Sequence, residues 1–137
     1  MIPKFRAYDS GSLCRMYSPE EVMVGNGDIW IIDEDDVAGE WIVNNDLHLM
    51  QSTGLKDKNG KEIFEGDIIA INLEGIETPI TAKVFQNRKI GILMFHAFED
   101  NEDVPMVELL EGNSVEFAII GNIWEDPELT EVNHDYL

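Results

Sequence analysis

Basic residues are scarce in this chain: nine Lys plus Arg stand against 28 Asp plus Glu, a formal net charge of -19. That imbalance repels phosphate backbones at long range and works against anionic membrane surfaces. A nucleic-acid-binding domain ordinarily carries a basic footprint, and none is visible, so direct nucleic-acid binding is set aside. Cysteine is nearly absent too. The lone Cys14 cannot close an intramolecular disulfide, which agrees with a reducing compartment. No apolar run approaches the ~18 residues of a membrane helix, and the first residues lack the charged, apolar and small-residue order of a secretory signal. The expectation is a cytoplasmic protein with no membrane partner.

Motifs that carry chemistry are missing as well. No Gly-rich stretch supplies a phosphate loop with its following Lys and Ser or Thr, and no dinucleotide fingerprint opens a βαβ unit. His48, His96 and His134 have no neighbouring His or Cys at zinc-finger spacing, so each reads as an ordinary, partly buried side chain. Cys14 has no second thiol for redox exchange. The run Asp33-Glu34-Asp35-Asp36 repels itself and suits an open, solvated loop. It does not match a two-metal centre, which gathers carboxylates from separate elements around ions about 4 Å apart. Nor is it a calcium loop, because Val37 and Ala38 stand where an oxygen ligand and the required glycine would follow Asp33. Catalytic residues, metal ligands and cofactors are accordingly expected to be none. An enzyme would have to draw on His48 or His96 with Glu65 or Asp67.

What the chain does contain is 44% hydrophobic residues and turn signals at close intervals over 137 residues, enough to bury a core without staples. Strands are expected from the first residues to Tyr8, from Leu13 to Tyr17, from Asp28 to Ile32 and from Glu40 to Val43. Ser18-Pro19-Glu20-Glu21 has the residues of a helix cap, with Val22 to Val24 allowing one helical turn at most. In LMQSTGLKDKNGKEIFEGD, residues 49–67, Thr53-Gly54-Leu55 changes direction, Asn59-Gly60 turns a hairpin through positive φ, and Glu65-Gly66-Asp67 makes a second reversal. Strands follow at 67–73, 80–85, 90–95 and 115–120, with an acidic connector at 98–104 continuing into 106–110. Asp126-Pro127-Glu128-Leu129 suits a final helical turn. The fold class is mainly β: a small antiparallel barrel with an N-terminal β-rich extension and one or two short helical turns. Three segments result, a β-rich one over 1–50, a barrel-like domain over 51–129 and a tail over 130–137.

Three of these blocks, IPKFRAYD, LMQSTGLKDKNGKEIFEGDII and IIGNIWEDPEL, resemble in order and spacing the YopX family of small phage and prophage proteins. The blocks span most of the chain, while residues 74–115 match only as variable strands and loops. The resemblance implies a mainly β, phage-encoded protein of the host-cell cytoplasm that assembles with itself. It brings no catalytic residues. Tyr8, Phe64 and Trp124 hold aromatic places in the three blocks and read chiefly as packing positions, with a binding groove as the other use.

Lys56, Lys58 and Lys61 form the densest basic patch of an acidic chain, and a contact with an acidic surface of another subunit is their functional reading beside that of a solvated hairpin tip. No Lys or Arg follows Lys89, whereas 12 of the 28 acidic residues do, among them Glu99, Asp100, Glu102 and Asp103. That asymmetry favours partners with basic surfaces. The function expected is that of a noncatalytic accessory protein, homo-oligomeric and binding a host or phage protein. Two other readings stay open: an acidic nucleic-acid mimic that occupies a basic groove, and an uncharacterised enzyme.

Overall fold

The computed structural model describes residues 3–11, 13–32, 39–111 and 115–131. The acidic run at 33–36, the turn at 112–113, His134 and the last six residues lie outside them. The protein is mainly β, with twelve strands, two short 3-10 turns and one short α-helix among the described residues. The chain divides into two compact units, Met1–Ser52 and Thr53–Leu137.

In the first unit, β1 (Phe5–Asp9) pairs antiparallel with β2 (Arg15–Tyr17) on one side and with the start of β6 (His48–Lys56) on the other. The Ser18 cap opens only a 3-10 turn, Pro19–Glu21, in which the Ser18 N–H donates to Glu21 Oε1 at 3.1 Å. Residues 22–24, expected to allow helix, instead begin strand β3 (Val22–Gly25). Two of those three residues are β-branched valines, and β4 (Asp28–Ile32) lies close enough in sequence to pair with them. Asn26 and Gly27 take φ of 54° and 80°, the two left-handed positions of a two-residue hairpin. β5 (Trp41–Val43) completes the three-stranded sheet β3-β4-β5. Ala7, Tyr17, Val22, Ile31 and Leu47 form this unit's core, with Phe5 and Ile29 packed against it.

The second unit is a five-stranded antiparallel sheet curled as a half-barrel, in the order β11-β10-β9-β8-β12. Its strands are β8 (Asp67–Leu73), β9 (Ile80–Asn87), β10 (Ile92–Ala97), β11 (Glu102–Pro105) and β12 (Val115–Asn122). β8 is the run of isoleucines, and Ile68, Ile69 and Ile71 are all essentially fully buried, so both of its faces are covered. One sheet face carries Ile69, Ile71, Ala82, Val84, Phe95, Ala97 and Phe117, closed over by Ile63, Met106 and Leu109. Ile63 comes from β7 (Glu62–Phe64).

Three local expectations change here. Thr53-Gly54-Leu55 does not reverse the chain; it lies inside continuous β6, with Gly54 at φ 78° absorbing an irregularity. The connector over 98–104 is a turn followed by β11, which pairs antiparallel with β10 and packs Val104 against the core. Residues 106–110 are not its extension but a separate helix α1 (Val107–Leu110), which buries Leu109.

Candidate functional site

The polar residues of the distinctive blocks hold turns. Among the described residues, the buried polar or charged side chains are Asp57, Asp67 and Asn122, and each sits in one of the quoted segments. Asp57 opens the Lys58-Asn59-Gly60 hairpin. Its Oδ1 accepts from the backbone N–H of Asn59 at 3.0 Å and of Lys61 at 2.9 Å. Its Oδ2 accepts from Ile119 N–H at 3.0 Å, and Lys58 N–H donates to Phe117 O at 3.0 Å. The hairpin is thereby stitched to the outer edge of β12, which would otherwise present unpaired backbone. Burial pushes the Asp57 carboxyl up, but the three N–H donors and the Lys61 charge outweigh it and hold it below its ordinary range.

The turn itself is built differently from the expectation. Gly60 carries the positive φ, 81°, while Asn59 does not take a left-handed conformation. Gly60 N–H donates to the Asp57 backbone carbonyl at 3.0 Å while the Asp57 carboxylate takes the Asn59 and Lys61 N–H groups, so Asp57 rather than Asn59 sets the turn. In the second reversal, Asp67 Oδ2 accepts from Phe64 N–H at 2.8 Å, and Gly66, at φ 86°, exchanges backbone bonds with Val84 and Ile123. In the third block Asn122 Oδ1 accepts from Trp124 N–H at 3.0 Å and Glu125 N–H at 2.8 Å.

This geometry places the expected interaction residues. Lys56, Lys58 and Lys61 are all exposed on the hairpin, and Lys58 Nζ lies 3.9 Å from Glu116. Rigid anchoring of the turn by Asp57 fixes where these charges project. Glu99, Asp100, Glu102 and Asp103 are exposed along the β10–β11 reversal, where Asn101 takes φ 51°. Tyr8 and Phe64 are buried, and Trp124 is half-buried.

The histidine and carboxylate pairs proposed for an enzyme are otherwise engaged. His96 Nδ1 lies 2.7 Å from Asp103 Oδ1, and His48 Nε2 lies 2.8 Å from Ser10 Oγ. Glu65 takes a two-pronged contact from Arg88 at 3.0 and 3.2 Å, which raises the guanidinium pKa. Asp67 holds the Phe64 turn. Among the described residues, no three His, Cys, Asp or Glu side chains group closely enough to hold a metal ion. No helix among them is long and apolar enough to cross a membrane.

One surface escaped the sequence reading. In the three-stranded sheet, residues directly opposite share a face, and Met23, Trp30 and Val43 form one row while Ile32 and Trp41 form the row two positions on. Of the intervening row, Val22 and Ile31 point into the core, while Ile42 at its β5 end is 42% exposed. The outer face thus carries five large apolar side chains, and Met23, Val43 and Trp41 remain 47%, 44% and 37% exposed. The available signal was the unbroken apolar run in Ile29 to Ile32 and in Trp41 to Val43. An antiparallel strand with one wet face should alternate, and these do not.

Taken together, a curled antiparallel half-barrel sheet, turns held by buried carboxylate and amide groups, and a three-stranded sheet with an apolar exposed face describe a small, mainly β protein. The chain belongs to the YopX family, whose model, described as YopX protein, matches residues 4–131. It is similar to the crystal structure of protein YopX from Bacillus subtilis, 16% identical with a TM-score of 0.62, over 93% of this chain and 98% of that one. It is also similar to the crystal structure of protein EF1440 from Enterococcus faecalis, 28% identical with a TM-score of 0.60, over 96% of this chain and 99% of that one. A comparison with curated proteins finds no match.

Proposed function

We propose that this YopX-family chain is a noncatalytic accessory protein of a phage or prophage, working in the host cytoplasm through contacts with other proteins and with copies of itself. The observation that carries the reading is the outer face of β3-β4-β5. Two tryptophans, a methionine, a valine and an isoleucine share one side of a small sheet, and three of them are more than a third exposed. Clustered apolar groups of this size at a surface mark interaction sites, and tryptophan is prominent among interface anchors.

Self-association has its own pointer in the lysine hairpin. Lys56, Lys58 and Lys61 project from a turn fixed by Asp57, in a chain whose remaining surface is dominated by carboxylates such as Glu99, Asp100, Glu102 and Asp103. Meeting of these two surfaces from different copies is a head-to-tail contact, which closes into a ring or continues as a filament. Tyr8 and Phe64 are buried and Trp124 is half-buried, which fits packing roles rather than contact with a partner.

Sedimentation velocity of the full chain at low and moderate salt tests the self-association. Replacing Lys56, Lys58 and Lys61 by Gln is expected to lower the mass toward one chain, and added salt to act in the same direction. A wild-type mass of one chain at every concentration and salt would remove that half of the proposal.

A further inference from the structure

Resting on the reading above as a protein-binding chain, the chemistry around the outer face narrows what it takes. Between Arg15 and Lys56 the sequence has no Lys or Arg, and the described residues of that span carry the carboxylates Glu20, Glu21, Asp28, Glu40 and Asp46. All three strands of the β3-β4-β5 sheet fall within that span. Asp28 lies opposite Gly25, in the row two positions from Met23 and Trp30, and so shares the outer face with them. Glu40 is exposed immediately before Trp41, and Asp46 is exposed beyond Val43.

Apolar centre and acidic surroundings exclude several occupants. A second copy docked face to face would set this acidic region against itself, with no Lys or Arg between residues 16 and 55 to compensate. Anionic lipid and nucleic acid meet the same repulsion. We infer that the outer face of β3-β4-β5 receives a basic protein segment, whose apolar side chains pack on Trp30, Trp41, Met23 and Val43 while its Lys or Arg residues meet the carboxylates around them. Apolar contact supplies the affinity and the charges supply the choice of partner and the approach rate.

Isothermal titration of the full-length chain with three synthetic peptides tests this. One alternates Ile and Lys around a central Trp; the second has Glu for every Lys; the third keeps Lys and has Ser for every apolar residue. The Ile/Lys peptide is expected to bind at least about tenfold more tightly than either of the others, and to weaken as salt is raised. Trp41→Ser is expected to abolish that advantage, with Met23→Ser as the second variant should Trp41→Ser fail to fold. Ile90→Ser, an exposed apolar position in the second unit, is expected to leave it intact. Equal binding of the Ser/Lys peptide would show bulk charge attraction alone and overturn the inference. So would a wild-type oligomer that Trp41→Ser dissociates, since a second copy then covers the face, although the protein-binding reading would survive. Absence of peptide binding together with a single-chain mass at all concentrations would remove both.

Discussion

At the scale of single residues, Asp57 does more than any charged group on the surface. Its carboxylate receives three backbone N–H groups, two within its own hairpin and one from β12, while it is itself buried. The exposed pair of Lys58 and Glu116 contributes little, because water screens both partners. Removing the carboxylate leaves three donors to find water or go unpaired. Asp57→Ala is therefore expected to cost about 3 kcal/mol, read as a lower urea midpoint, and Asp57→Asn less, since the amide oxygen keeps one acceptor in place. The same bonds impose a pH dependence. Folding lowers the Asp57 pKa below its ordinary 3.8, so as the pH falls the unfolded chain takes up the proton first. The stabilisation is complete above about pH 4 and disappears as the pH drops through the folded value. Between pH 7 and pH 3 the wild type is expected to lose more stability than Asp57→Asn. Equal losses would mean that another carboxylate governs the acid limb, with Glu21, also held low, first by the Ser18 N–H, as the next group to test.

Between elements, the same residues explain what the sequence could and could not disclose. Strands with a clear period of two, such as Ile80 to Phe85, and turns built on paired Gly and Asn were legible because both signals are local. β11 and α1 were not, since each is short and is defined by what Val104 and Leu109 touch. The hairpin at Asn59-Gly60 was legible as a turn, but not as an anchor to a strand ~60 residues away: nothing in Asp57's neighbourhood announces Ile119. The outer face was missed for a related reason, as runs of three or four apolar residues read equally well as a buried strand. Gly121 shows how tightly the last block is fitted. Ile120 is the extra residue of a bulge between Ile119 and Gly121, and a Cβ on Gly121 would fall 2.6 Å from Asp126 Oδ2 and 2.9 Å from Leu129 Cδ1. Asp126 cannot simply swing away, because that oxygen accepts from Asn122 N–H at 3.1 Å. Gly121→Ala is expected to destabilise by about 2 kcal/mol in urea unfolding, through crowding rather than backbone strain. Gly54→Ala provides the contrast. It meets no atom within 4 Å, and its penalty of about 1 kcal/mol would come from φ of 78° alone.

For the whole chain, the governing quantity is the net charge of -19. Self-repulsion on this scale opposes compaction, whereas the proposed contacts join a basic to an acidic patch, so salt should act on the protein in two opposite ways. Contacts between copies or with a basic partner pair unlike charges and weaken as ions screen them. Folding of the chain itself confines like charges and strengthens under the same screening. The Debye length falls from about 30 Å at 0.01 M to about 8 Å at 0.15 M, so repulsion between exposed carboxylates is largely screened over that interval. Thermal unfolding followed by circular dichroism is expected to shift upward by roughly 4–8 °C over that interval of sodium chloride, corresponding to about 1 kcal/mol for units of this size. Most of the gain should be complete by physiological salt. A melting temperature that stayed flat to that point and climbed only at molar salt would signify exclusion of solute from apolar surface, and carboxylate repulsion would then not limit stability. Backbone donors and Lys61 hold Asp57 internally, so the early rise is expected to come from exposed carboxylates such as Glu99, Asp100 and Glu102 rather than from Asp57.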